Sequence, residues 1–133
     1  MSQITVENIK RSSETVARST RGVAAAWVNF NGTGTIAARD SENVSSLTDN
    51  AVGDYTVNFS NAFAAGDYNM TGSSAAGQSA NFSSNRILGV YADAGGIGSS
   101  APTSTTCRIA SIYGTETKQD AVWINSTIHG DLA

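Results

Sequence analysis

The chain has 133 residues, enough for one compact domain and too few for two of ordinary size. Its 8 basic and 11 acidic residues give a net charge of −3, which argues against a nucleic-acid binder, because such proteins need a basic surface to replace counterions. The sequence contains no apolar run of about 18 residues that would predict a membrane span, and its single cysteine cannot form an internal disulfide.

The first 22 residues differ in composition from the rest of the chain. Ile4 and Val6 alternate with polar residues, Ile9 breaks the alternation, and four of the eight basic residues follow within residues 10–22. So polar a segment needs an outside contact to be held in place. We therefore predict an extended N-terminal arm over residues 1–22. The opening residues lack the pattern of a secretory signal, so synthesis in the cytoplasm is expected.

From residue 23 onward the sequence predicts short strands separated by turns. The run V-A-A-A-W-V-N-F at 23–30 predicts a strand, and Asn31-Gly32 predicts a tight hairpin turn with positive φ. A return strand is expected over residues 33–39. Further strands are predicted at residues 43–48, 55–59, 86–92, 106–113 and 121–128, with a long loop at 93–106.

Together with the apolar pair Tyr68 and Met70, which follows a break at residues 65–67, the pattern amounts to eight or nine strands. Their spacing predicts an all-β fold, an antiparallel β-sandwich that is jelly-roll-like, over a head domain at residues 23–133. No segment shows a 3.6-residue apolar period, so little helix is expected.

The sequence offers no convincing catalytic, cofactor or metal site, and we predict a protein that is not an enzyme. His129 is expected to be a surface residue near the chain end, and Cys107 stands at a core position of a strand. The glycine-rich run at 93–100 lacks the lysine of a phosphate-binding loop. The Asp and Asn residues of the turn at 49–54 do not match a calcium-binding loop and are expected to cap the turn.

Trp27 and Trp123 are too large for a small sandwich to bury completely. One or both are predicted to lie in a subunit interface or beside a sugar ring at a binding site. The interface is the favoured interpretation, because aromatic residues are enriched at interfaces.

Two blocks of the sequence resemble a known module. The run A-A-A-W-V-N-F-N-G-T-G-T-I at 24–36 and the run N-V-S-S-L-T-D-N-A-V-G-D-Y-T-V-N-F at 43–59 closely resemble a module of tailed-bacteriophage tail-fibre and minor structural proteins. Ala51 stands where that module usually has glycine. The resemblance covers residues 3–70 well, whereas I-L-G-V-Y at 87–91 and C-R-I-A-S-I-Y-G at 107–114 fit more loosely.

The resemblance implies a homotrimeric, β-rich component of a phage virion, most commonly at the tail fibre or its tip. The expected partners are other copies of the chain, other virion proteins and a host surface glycan or protein; nucleic acid and membrane insertion are not expected. The N-terminal arm and the tryptophans would supply the interface and attachment residues, Ile4, Val6, Ile9, Arg11, Arg18, Arg21, Trp27 and Trp123. Outward loops, especially 93–106, would supply the candidate receptor contacts, Tyr91, Ser99, Ser100 and Thr103.

Two alternatives remain open at this point. A capsid decoration protein would use the arm to clamp capsomers and would stabilise the head without a receptor. A free carbohydrate-binding module would use Trp27 or Trp123 as a platform for a sugar ring. A glycan-cleaving enzyme is disfavoured, because no pair of acidic residues is evident.

Overall fold

The structure, a computed structural model, describes residues 2, 5–10, 12–13, 15–75, 86–90, 101–114 and 117–133. Within these residues the chain is all-β, and its helical content is one 3₁₀ turn at Thr20–Gly22. The strands, in chain order, are β1 (Asn8–Ile9), β2 (Arg18–Ser19), β3 (Ala26–Asn31), β4 (Ala37–Glu42), β5 (Val44–Ala51), β6 (Asp54–Phe59), β7 (Asn69–Ala75), β8 (Arg86–Val90), β9 (Thr106–Tyr113), β10 (Thr117–Lys118) and β11 (Trp123–His129). The prediction of an all-β chain is confirmed.

Two antiparallel sheets form the head. The first, here the β3 sheet, has the order β4-β3-β11-β7. In the second, the β9 sheet, β5 pairs with β6 and β6 with β9, while β8 and β10 also pair with β9. The N–H of Ser111 donates to Gly53 (2.8 Å) and its carbonyl accepts from Gln119 (2.9 Å). These two bonds place the start of β6 and the end of β10 on the same edge of β9.

The inward faces of both sheets meet in one apolar core, an arrangement consistent with a β-sandwich. In β3, buried residues alternate with partly exposed ones, as expected for a strand that packs on one face. Both sheets contribute to the core, which contains Ala26, Val28, Phe30, Tyr55, Val57, Phe59, Phe63, Cys107, Ile109, Ala121, Ile124 and Ile128. Cys107 is fully buried, in agreement with its predicted packing role.

The predicted tight turn at Asn31-Gly32 is wrong. β3 extends through Asn31, and β4 begins at Ala37, so residues 32–36 form a longer connection. Neither Asn31 nor Gly32 has positive φ; Gly34 does, at 63°. Asn31 instead caps the connection, because its side chain donates to the carbonyl of Thr33 (2.8 Å) and accepts from the Thr33 hydroxyl (2.9 Å).

The chain passes from the β3 sheet to the β9 sheet at Asn43, between β4 and β5. Asn43 has a φ of 55°, in the left-handed region that Asn tolerates better than most residues. Its amide donates to the carbonyls of Ala25 (3.1 Å) and Asn61 (3.2 Å) and accepts from the Asn61 N–H (2.7 Å). These bonds fix the corner at which the two sheets begin to diverge.

The N-terminal segment forms a small sheet of its own. β1 pairs with β2 in antiparallel register, Asn8 with Ser19 and Ile9 with Arg18. The N–H of Thr20 donates to the Glu7 carbonyl at 2.9 Å, which closes the pair. The described part of residues 1–22 thus doubles back on itself before the chain enters β3.

Candidate functional site

The outer face of the β3 sheet carries an exposed tryptophan under an arginine. The Trp123 side chain is 48% exposed, and the guanidinium carbon of Arg39 lies 3.8 Å from the centroid of its ring. This is the geometry of a cation–π contact. Arg39 is held in place because its Nη2 donates to the carbonyl of Val122 at 2.7 Å.

A β-bulge places Arg39 in this position. The pairing of β3 with β4 passes from Asn29↔Asp40 to Phe30↔Ala38, so Arg39 is the extra residue on β4. Bulges redirect a side chain relative to the regular pleat. Arg39 consequently reaches across β3 to Trp123 on β11.

A row of polar side chains continues from Arg39 across the same face. Arg39 Nη1 donates to Oδ1 of Asn29 at 3.3 Å, and the amide of Asn29 donates to Oδ1 of Asn125. The amide of Asn125 in turn donates to the hydroxyl of Ser73 at 3.4 Å. The row therefore spans all four strands of the β3 sheet.

Trp27 stands on the same face. Its register partner on β11 is Thr127, four residues from Trp123, a separation of about 13 Å along a strand. The paired residues Asn29 and Asn125 lie midway between the two tryptophans. We call the surface formed by Trp27, Asn29, Arg39, Trp123 and Asn125 the tryptophan face.

Two carboxylates flank the tryptophan face. Asp40 pairs with Asn29, and Glu42 pairs with Trp27, so both lie on β4 beside the row. Both residues are exposed. The single positive charge of Arg39 is therefore accompanied by two negative charges, which disfavours an anionic ligand here.

Residues of the two sequence blocks at 24–36 and 43–59 have structural roles. The rings of Phe30 and Tyr55 meet edge to face with centroids 5.2 Å apart. The Tyr55 hydroxyl lies 2.7 Å from the carbonyl oxygen of Gly32 and 2.9 Å from the carboxylate of Asp120. A Cβ on Gly32 would come within 2.6 Å of that hydroxyl. The two sequence blocks therefore pack directly against each other inside the head.

Asp54, in the second block, is the centre of a buried ion cluster. Its side chain is 1% exposed, and it accepts from Nε (2.7 Å) and Nη2 (2.9 Å) of Arg108 and from the ammonium of Lys118. Burial by itself raises the pKa of Asp54, but the bonds from Arg108 and Lys118 outweigh it, so the pKa lies below the usual value of 3.8. The cluster joins β6, β9 and β10.

Tyr55 is held in its neutral form. Burial raises the pKa of its hydroxyl, and the neighbouring carboxylate of Asp120 raises it further. The hydroxyl thus acts as a structural hydrogen-bonding group near neutral pH.

The structure describes only some of the predicted attachment and receptor residues. Val6 (50%) and Ile9 (52%) are exposed in the N-terminal segment. The hydroxyl of Thr103 accepts from the N–H groups of Thr105 (3.2 Å) and Thr106 (2.9 Å), and so caps the turn before β9. The remaining predicted positions lie outside the described residues or, for Arg18 and Arg21, have no described side chain; these are Ile4, Arg11, Arg18, Arg21, Tyr91, Ser99 and Ser100.

The two tryptophans were predicted from the sequence as binding or interface residues, whereas their neighbours Asn29, Arg39 and Asn125 were not. Strict alternation along β3 puts Trp27 and Asn29 on one face, so the position of Asn29 could have been predicted from the sequence. The position of Arg39 could not, because it depends on a β-bulge.

A second surface feature lies where the sheets part beyond Asn43. Most residues of β4 and β5 are exposed, and a cleft of about 250 Å³ opens between these strands. The apolar side chains of Ile36, Val44 and Leu47 line it and also contact the core.

Among the residues that the structure describes, no three His, Cys, Asp or Glu side chains come together as a metal site. None of the helical structure described is long and apolar enough to cross a membrane.

Comparison with known proteins gives no match. No protein-family model matches the chain, and no significant similarity is found to a curated protein or a solved structure.

Proposed function

We propose that the chain is a non-enzymatic structural protein of a bacteriophage virion, a homotrimeric tail-fibre or fibre-tip component. It attaches to the particle through residues 1–22 and presents residues 23–133 to the host surface. Its place of action is the virion, after synthesis in the host cytoplasm.

The resemblance of the blocks at 24–36 and 43–59 to the phage module carries this proposal, and the packing of the two blocks supports it. Tyr55 from the second block contacts Phe30 and Gly32 from the first, at the 5.2 Å and 2.7 Å separations given above. The residues of the resemblance therefore hold the core of the head together. This supports a common architecture for the head and the phage module. Fold alone does not dictate function, so the virion assignment depends on the sequence resemblance.

Self-association is supported by the side of the head that holds β4 and β5. In the described part of the chain each of these strands ends its sheet, and exposed strand edges favour pairing with another chain. The cleft lined by Ile36, Val44 and Leu47 offers apolar surface at the same place. We infer that neighbouring copies of a trimer meet here.

The N-terminal segment supports attachment. Val6 and Ile9 expose about half of their surface, which is apolar area available to another virion protein. The basic residues of the segment suit an acidic neighbour.

The jelly-roll-like topology of the head stays a prediction. The arrangement of the strands in two antiparallel sheets is consistent with it.

Phage particles lacking the protein test the assignment and separate it from capsid decoration. A fibre component predicts particles with normal heat and osmotic resistance that adsorb poorly and lose infectivity. A decoration protein predicts infectious particles that break open at lower temperature or on osmotic shock. Particles unchanged in both respects would contradict a virion role.

A further inference from the structure

We propose that the tryptophan face is a binding site for a neutral saccharide, with the indole of Trp123 as its platform. This inference deepens the proposed function. Only the claim that the saccharide belongs to a host surface rests on that function. The binding itself is a property of the purified chain.

Trp123 keeps apolar surface available for stacking. It stays 48% exposed although the guanidinium of Arg39 lies 3.8 Å from its ring centroid. Its register neighbour on β7 is Ala75, a small residue. An exposed indole is a suitable platform for the C–H face of a pyranose ring.

The polar row supplies partners for sugar hydroxyls. The guanidinium of Arg39 has five N–H donors, of which bonds to Val122 and Asn29 account for two. The amides of Asn29 and Asn125 each have two N–H donors and use one apiece within the row. An apolar platform beside a few fixed donors is the usual composition of a small-ligand site.

Charge and rigidity narrow the ligand class. Asp40 and Glu42 flank the row, so a sugar bearing a carboxylate or sulfate would be repelled. The donors are held by bonds within the sheet, so their ordering does not have to occur on binding. A neutral hexose or N-acetylhexosamine fits these constraints best.

The two roles left open for the tryptophans are an interface and a sugar platform. Interfaces are depleted in Asp and Glu, whereas this face is bordered by the exposed residues Asp40 and Glu42. The role of a sugar platform therefore suits Trp123 better than that of an interface residue.

The test is titration of the purified chain with cellotriose, maltotriose and chitotriose, with trigalacturonic acid as the anionic comparison. Calorimetry and tryptophan fluorescence should show binding of at least one neutral trisaccharide, with a Kd between about 1 mM and 1 μM. Trp123→Ala should weaken it by about tenfold or more, and Trp123→Phe by less, because Phe retains a smaller flat ring.

Tyr113→Ala is the matched control, since Tyr113 is an aromatic residue 40% exposed on the β9 sheet and should leave the affinity unchanged. Light scattering of each variant reports its assembly state. The proposal is overturned if no neutral trisaccharide binds, if the trigalacturonate binds more tightly, or if Trp123→Ala binds as well as the parent chain. It is also overturned if Trp123→Ala dissociates an oligomer, which would make the face an interface. Failure of binding leaves the particle experiment above unaffected, so the two proposals fail separately.

Discussion

At the scale of single residues, close contacts explain why the turn before β6 contains a glycine. Gly53 has a φ of 64°, and a Cβ there would lie 2.4 Å from the backbone nitrogen of Gln119 and 2.8 Å from the carbonyl oxygen of Ser111. Both obstacles are backbone atoms within a paired region and cannot swing away. Gly53 therefore meets a conformational and a steric requirement at once.

Replacement of Gly53 by alanine should destabilise the head far more than replacement of Gly34. Gly34 has the same left-handed conformation (φ 63°) but open space around it, so Gly34→Ala bears the conformational penalty alone, about 1 kcal/mol. Gly53→Ala adds the clash and should cost about 3 kcal/mol or more. Urea unfolding of both variants measures the difference; equal losses would show that the contact between β6 and β10 is not tight.

At the scale of elements, Asp54 joins the beginning of β6 to β9 and β10. Its pKa is lowered in the folded chain, so its ionised form favours folding. That contribution is present above the unfolded pKa of 3.8 and is lost as the pH falls through the lower folded value.

Asp54→Asn should reduce the free energy of unfolding by about 2 kcal/mol at neutral pH, the typical contribution of hydrogen bonds to a charged group. The loss of stability should not be larger, because the side chains of Arg108 and Lys118 are 28% and 30% exposed and solvent screens their ion pairs with Asp54. As the pH falls below 3.8, the Asp54 carboxylate of the unfolded parent chain becomes protonated, so the difference in stability between the parent chain and Asp54→Asn should shrink. Urea unfolding at neutral pH and near pH 3 checks this; a difference that stays constant with pH would refute the role of the charge.

Strands could be predicted from the sequence where alternation was clean, and β9 at Thr106–Tyr113 has the predicted bounds. Turns depended on contacts that are distant in sequence. Asn31-Gly32 favours a tight turn locally, but Gly32 is needed because a Cβ at this position would lie 2.6 Å from both the Tyr55 hydroxyl and the side chain of Ile124. The candidate site was half predictable: the tryptophans could be named, whereas Arg39 reaches them only through the β3–β4 bulge.

At the scale of the whole molecule, different surfaces serve different tasks in this account. We propose that the β4–β5 side joins copies of the chain, that the tryptophan face binds saccharide, and that residues 1–22 attach the assembly to the particle. The low content of charged residues, 14%, suits a chain that covers part of its surface with partners. The trimer is the central claim, because the β4–β5 side is assigned to contacts between neighbouring copies of the chain.

Light scattering of the purified chain at two concentrations tests this claim most directly. The account predicts a mass close to three times the 13.7 kDa of one chain at both concentrations. Removal of residues 1–22 should leave three chains together, because the contact is assigned to the head. A mass of one chain under all these conditions would contradict the trimeric component and favour a free saccharide-binding module.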